Sequence, residues 1–175
     1  MSRRGVIYYI LLMIAVSGMS ACKAPEQDNG EATPRKVSMT LRAEKSSNPG
    51  QNGRAAPIQM IVYSLLEADN FNTSDYFTLY SVTSPELAAD IKKHQKYILK
   101  PGESRQLEMN LTDDVSYIGI VAGYRDINSA QWSAIYPLPR RKPIAWYKKL
   151  VSSSPEPLKL NVVIDTLSVS IKEAN

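Results

Sequence analysis

Cys22, the only cysteine of the chain, is the residue whose side chain is best placed to undergo a chemical reaction. It follows a short basic start (residues 1–4), an apolar run (residues 6–16) and small residues at 17–21. This order is typical of a secretory signal peptide, and the apolar run is too short for a comfortable membrane span. Residues 1–21 are therefore predicted to be a signal peptide, and its removal would place a thiol at the new N-terminus.

A cysteine directly after a Ser-Ala pair resembles the lipobox of bacterial lipoproteins, with Met19 where that family usually has leucine. The resemblance implies that the Cys22 thiol is acylated and that the chain is cut just before it. Several acyl chains anchor a protein stably, since each buried methylene contributes about 0.8 kcal/mol. Lys23 stands where an aspartate favours the inner membrane in enterobacterial-type lipoproteins, which implies the periplasmic face of the outer membrane. A twin-arginine signal, weakly matched by Arg3 and Arg4, is the alternative export route.

Residues that could support other chemistry do not form the patterns that such chemistry requires. His94, the only histidine, lies among lysines and is predicted to be a solvated surface residue. The oxygen-rich run 69–75 lacks the spacing and central glycine of a calcium loop, and the pair at 113–114 reads as a turn. No nucleophile elbow, Walker loop or dinucleotide motif is present. The sequence therefore predicts no enzyme, cofactor or metal site, and a net charge of only +4 predicts no nucleic-acid binding.

The chain after Cys22 divides into a tether and one domain. Residues 22–36 are rich in proline, glycine and charge and almost free of apolar residues, which predicts a flexible tether. Residues 37–175 are long enough to form a single domain with its own core. The basic and aromatic segment 140–149 is predicted to be a solvated surface loop, with anionic lipid headgroups or an acidic partner as the alternative contact.

Apolar residues recur with a period of two through most of this domain, as in strands with one wet face. Two further runs, 58–65 and 117–124, are apolar on both faces and are predicted to be central strands. Two short helices, one capped by Ser74 and one starting at Ser84 and running to Lys93, are expected to cover their second face. A Pro-Gly turn is predicted at 100–103. The other predicted strands centre on residues 39–43, 97–99, 107–111, 133–136, 158–164 and 167–171. The whole predicts a mainly β fold, a β-sandwich.

Taken in order, several patches make the chain resemble the outer-membrane lipoprotein family of bacterial type VI secretion systems (TssJ type). The patches are residues 57–65, 75–80, 99–104, 117–126, Trp132 and 137–139. The resemblance implies a transthyretin-like β-sandwich of about eight strands with one or two short added helices. It also implies a structural role: anchoring the trans-envelope core complex by binding the periplasmic part of a large inner-membrane protein (TssM type), which pairs with a smaller one (TssL type).

In that family the loop after the first strand contacts the partner, and here that loop is 44–56. Within it we single out Asn48, Gln51, Asn52 and Arg54, because they are polar and near the tip. The alternatives are a merely solvated loop, or a periplasmic carrier or chaperone-like lipoprotein that binds a small or extended ligand at a sandwich edge. The carrier would need an apolar cavity or an unprotected edge strand. A hydrolase of the cell envelope is disfavoured by the missing chemistry.

Overall fold

The computed structural model describes residues 34–140 and 156–174, all within the compact unit Ala32–Asn175. The predicted signal peptide, Cys22, residues 22–33 of the predicted tether and residues 141–155 lie outside the described residues. The first strand, β1, begins at Arg35, so Arg35 and Lys36 belong to the sandwich, although the sequence assigned them to the tether.

The described residues form eight strands in two four-stranded sheets, in the orders β4-β1-β7-β8 and β3-β2-β5-β6. Neighbouring strands are antiparallel except β1 and β7, which run parallel. The strands are β1 (Arg35–Ala43), β2 (Ile58–Leu65), β3 (Ile91–Leu99), β4 (Ser104–Leu111), β5 (Tyr117–Ala122), β6 (Ser133–Pro137), β7 (Leu158–Ile164) and β8 (Val169–Glu173). The mainly β sandwich of about eight strands predicted from the sequence is confirmed.

The main core lies between the two sheets, where the alternating apolar residues of each strand point. In β1, for example, Val37, Met39 and Leu41 are fully buried, while Arg42 is exposed on the other face. Every strand except β6 contributes buried apolar side chains to this core, with Leu99 as the contribution of β3, and β6 packs the partly buried Ala134 and Tyr136 against it. The core of this sandwich is therefore filled by side chains.

A second, smaller core covers the outer face of β2 and β5, as their two-sided apolar patterns predicted. Three short helices between β2 and β3 each bury one residue against this face, Phe71, Leu79 and Leu87. The helices are α1 (Asp69–Thr73), α2 (Tyr76–Ser81) and α3 (Pro85–Asp90). Burial raises the pKa of Tyr63 on β2, whose hydroxyl donates to the Leu79 carbonyl at 2.5 Å.

The helical segment differs from the sequence expectation in three ways. Helix α1 is additional, so three short helices occur where one or two were expected. The cap of α2 is Asp75, whose carboxylate accepts from the amides of Phe77 and Thr78, because Ser74 already ends α1. Helix α3 is capped by Ser84 as predicted, but it ends at Asp90. The next residues pair with β2 and form the first half of β3, a strand predicted only for its last three residues.

Candidate functional site

The strand directions separate the point where the chain enters the domain from the loops that could bind a partner. The chain enters at Arg35, the first residue of β1. Four connections lie at the opposite, distal end: the β1–β2 loop (44–57), the β3–β4 turn (100–103), the β5–β6 loop (123–132) and the β7–β8 turn (165–168). The nine residues of β1 place these ends roughly 26 Å apart, at about 3.3 Å per residue.

Asn48 holds the β1–β2 loop against its neighbours at the distal end. Its side-chain Nδ2 donates to the Pro57 carbonyl and its Oδ1 accepts from the Arg125 amide, both at 2.8 Å. Its own amide donates to the Thr166 carbonyl at 3.2 Å. Its backbone has a positive φ of 53°, a conformation that asparagine adopts more readily than most residues. The side chain of Asn48 thus joins its loop to the β5–β6 loop, and its backbone amide joins the loop to the β7–β8 turn.

The structure corrects the sequence interpretation of Asn48. The residue was singled out as a polar group near the loop tip, but its exposed fraction is only 2 %. Both polar atoms of its side chain form hydrogen bonds within the domain. Asn48 therefore positions the loop and offers a partner little accessible surface. Gln51, Asn52 and Arg54 are exposed, as expected of contact residues.

The tip of the loop is a tight turn built by its own backbone. The Gly50 amide donates to the Arg54 carbonyl and the Gly53 amide to the Gly50 carbonyl, both at 2.9 Å. The Asn52 side chain accepts from the Arg54 amide at 3.1 Å. Gly53 has φ +71°, where a side chain would be strained. The exposed candidates therefore project from an ordered turn.

Tyr124 joins the β5–β6 loop to the β7–β8 turn. Its buried hydroxyl donates to the Ser168 carbonyl at 2.6 Å and lies 3.2 Å from the Asp165 carbonyl. Burial, with a smaller contribution from the Asp165 carboxylate, raises the pKa of the Tyr124 hydroxyl, so it stays a neutral donor. The Thr166 hydroxyl also bonds the Ser46 hydroxyl at 2.9 Å. The distal loops consequently form one braced surface.

A cleft of about 850 Å³ opens on this surface. Residues 49–52 form one wall, and Arg125, Asp126 and Leu167 form the other. Sequence reasoning did not select Arg125, although it lies in one of the patches that carried the family resemblance. The contact that brings it to residue 48 spans 77 positions in the chain, which no local pattern reveals.

The histidine and the acidic side chains of the described residues form no metal-binding group. His94 is exposed on β3, as predicted, and its ring lies 5.7 Å from that of Tyr63. Nowhere in the described part of the chain do three or more His, Cys, Asp or Glu side chains group closely enough to hold a metal ion. None of the helices within residues 34–140 and 156–174 has the length and apolar character needed to cross a bilayer.

Comparison with solved structures gives matches that cover most of the chain. The lipoprotein TssJ1 of the type VI secretion system from Pseudomonas aeruginosa is 26% identical, with a TM-score of 0.69 over 81% of this chain and 98% of that one. Serratia marcescens Lip, a membrane-bound component of the type VI secretion system, is 24% identical, with a TM-score of 0.67 over 81% and 97%. A chain of the structure described as the T6SS protein TssM C-terminal domain from EAEC is 17% identical, with a TM-score of 0.58 over 81% and 98%.

No curated protein sequence matches the chain significantly. The family model T6SS-SciN, described as type VI secretion lipoprotein, VasD, EvfM, TssJ, VC_A0113, matches residues 35–165. This match runs from the first residue of β1 to just past the end of β7 and includes the whole β1–β2 loop. The chain therefore belongs to the type VI secretion lipoprotein family.

Proposed function

We propose that this chain anchors the membrane complex of a type VI secretion system to the outer membrane and docks the periplasmic part of a TssM-type inner-membrane protein. The observation that carries the proposal is the braced distal surface, with its exposed turn at residues 50–54, at the end opposite the chain's entry into the domain. A lipid anchor at Cys22 would then leave this surface accessible to a partner. A TssL-type protein would be joined indirectly, through the large partner.

The attachment to the outer membrane rests on Cys22 and Lys23 and on membership in a lipoprotein family. Acylation of Cys22 would hold the protein at the periplasmic face, and the short segment before β1 would separate the domain from the bilayer. The Cys22→Ser variant should give a folded, soluble periplasmic protein that no longer supports secretion. Normal secretion with this unacylated variant would contradict the anchoring role.

The role is non-catalytic, and docking is favoured over the carrier alternative by the filled core. A carrier needs an enclosed apolar cavity, whereas the inner faces of both sheets are packed with buried side chains. The open edge strand β3 carries three exposed lysines, Lys92, Lys93 and Lys96, and charged side chains on an edge strand discourage pairing with another chain.

The docking role can be tested by calorimetry with the soluble chain Lys23–Asn175 and the periplasmic C-terminal region of the TssM-type protein from the same organism. We expect a one-to-one complex of micromolar affinity or tighter, weakened when residues 50–54 are replaced by a shorter turn. A matched control replaces the β3–β4 turn, residues 100–103, with another Pro-Gly turn and should bind normally. Absence of binding by the unaltered chain at concentrations far above micromolar would rule out the docking role.

A further inference from the structure

The positively charged side chain of Arg125 lies at the distal cleft. The Arg125 amide is fixed by Asn48 Oδ1 at 2.8 Å, and the guanidinium lies over the backbone of Gly50. A Cβ atom on Gly50 would come within 2.8 Å of Arg125 Nη1, so the absent side chain makes room for this arginine. Arg125 is nevertheless exposed to solvent. Asn48 therefore fixes the Arg125 backbone, and Gly50 leaves room for the guanidinium at the cleft without enclosing it.

Some arginines and lysines among the described residues have carboxylate partners. Arg105 pairs with Glu103 and Lys92 with Asp114, at 2.9 and 2.8 Å. Within residues 34–140 and 156–174, neither Arg125 nor Arg54, the exposed arginine of the loop tip, forms an ion pair. Both can therefore take a carboxylate from outside the domain.

Three carboxylates near the distal loops each have a contact within the domain. Asp126 accepts from the Ser129 amide at 3.3 Å, and Asp165 accepts from the Thr166 amide at 2.7 Å. Glu44 pairs with Arg42 at the end of β1. A single hydrogen bond leaves a carboxylate further acceptor sites, and Asp126 is itself exposed beside Arg125 at the cleft. Arg54 adds a second exposed positive group at the tip, next to the amides of Gln51 and Asn52.

We propose that the cleft binds an acidic segment of the docked partner, with Arg125 and Arg54 as its carboxylate receptors; this rests on the docking function proposed above. An arginine fork can donate two parallel hydrogen bonds to one carboxylate. The exposed amides of Gln51 and Asn52 provide donors and acceptors for the main chain of such a segment. Opposite charges across the cleft would speed association and fix the orientation of the partner.

The test measures binding of the full-length lipoprotein, purified in detergent, to the periplasmic region of the TssM-type protein. We compare the wild type with Arg125→Glu, Arg54→Glu and the neutral variant Arg125→Gln. Lys93→Glu is the matched control, because Lys93 is an exposed cation on β3 that makes no ion pair among the described residues. Thermal unfolding of each variant establishes that it is folded.

We expect each charge reversal to weaken binding about tenfold or more, Arg125→Gln to weaken it less, and Lys93→Glu to leave it unchanged. Raising salt from about 0.1 M to about 1 M shortens the Debye length from about 10 Å to about 3 Å and should weaken the wild type more than Arg125→Glu. A short poly-glutamate peptide should compete for the cleft, and a poly-lysine peptide of equal length should not.

The outcomes separate this inference from the function on which it rests. If the wild type binds and both reversals bind equally well, the acidic-segment inference is overturned while docking stands. If poly-lysine competes and poly-glutamate does not, the charge of the partner segment has been assigned with the wrong sign. If the wild type does not bind at all, the docking proposal fails, and the inference fails with it.

Discussion

Replacing Asn48 by alanine tests whether this residue positions the β1–β2 loop or would itself contact the proposed partner. The substitution removes the hydrogen bonds to the Pro57 carbonyl and from the Arg125 amide, each 2.8 Å long. Each contributes about 1 kcal/mol, because water can partly replace the lost partner at these half-buried atoms. Alanine at a φ of 53° adds about 1 kcal/mol of backbone strain. The expected loss of unfolding free energy is about 3 kcal/mol, or about 10 °C in melting temperature.

Urea unfolding monitored by circular dichroism measures this loss, and hydrogen exchange of the Arg125 amide reports the loop directly. That amide donates to Asn48 Oδ1, so its exchange should accelerate in Asn48→Ala more than exchange of core amides such as that of Ile120. The matched control is Gln51→Ala, an exposed loop residue whose change should alter stability by less than about 0.5 kcal/mol.

The two substitutions should weaken partner binding for different reasons. Gln51→Ala should weaken binding with stability unchanged, whereas Asn48→Ala should weaken it only through disorder of the loop. Asn48→Ala with wild-type stability and wild-type exchange of the Arg125 amide would refute the bracing role. Asn48 would then have to be regarded as a contact residue, as the sequence alone had suggested.

Three further changes test the packing, the helix cap and the loop braces. Gly119→Ala places a Cβ 2.7 Å from Phe71 Cε2, so urea unfolding should show a loss of about 1–3 kcal/mol. Tyr124→Phe removes the 2.6 Å bond to the Ser168 carbonyl and should cost about 1–2 kcal/mol, with faster amide exchange in the β7–β8 turn. Hydrogen bonds from the Thr78 amide and hydroxyl lower the pKa of Asp75, so its stabilising effect is full above about pH 4 and is lost as pH falls through that lowered pKa. Asp75→Asn should therefore flatten the acid limb of stability against pH, and an unchanged acid limb would contradict this account.

Sequence patterns predicted the parts of the fold in which burial repeats regularly. The period-two runs located β1, β4 and β7, and the two-sided apolar runs identified β2 and β5 as central strands. The Pro-Gly turn is also confirmed: Gly102 has φ +80°, and the Glu103 amide donates to the Lys100 carbonyl at 2.9 Å. Each of these strands and turns is determined by a few consecutive residues, so the sequence alone is sufficient to predict it.

The first half of β3 was missed because it carries no apolar stripe. Ile91 to Lys96 lies at an exposed sheet edge, and its lysines and His94 are all exposed. Only pairing with β2 makes this segment a strand, and the same pairing ends α3 at Asp90. Tertiary contacts thus overrode the helical propensity that extended the prediction to Lys93.

The candidate site was predicted as a loop but not as an assembled surface. Gln51, Asn52 and Arg54 are exposed, and their contact with a partner stays a prediction. Asn48 is an equally polar residue of the same loop, yet it is buried, with hydrogen bonds to the Pro57 carbonyl of its own loop and to the Arg125 amide 77 positions away. A polar side chain in a loop can stabilise the fold or bind a partner. Only the three-dimensional structure, which brings distant residues together, distinguishes these two roles.

The course of β1 has a mechanical consequence for an anchored complex. A partner docked on the β1–β2 loop and an acyl group at Cys22 would pull on opposite ends of this one strand, so force would run along its axis. β1 is paired along its length with β4 from Arg35 to Arg42, and with β7 from Val37 to Ala43. Ladder hydrogen bonds cross the strand direction, so pulling would load them in shear and they would have to rupture together instead of unzipping singly. The strand nearest the proposed anchor would thereby let the domain bear load between the two membranes.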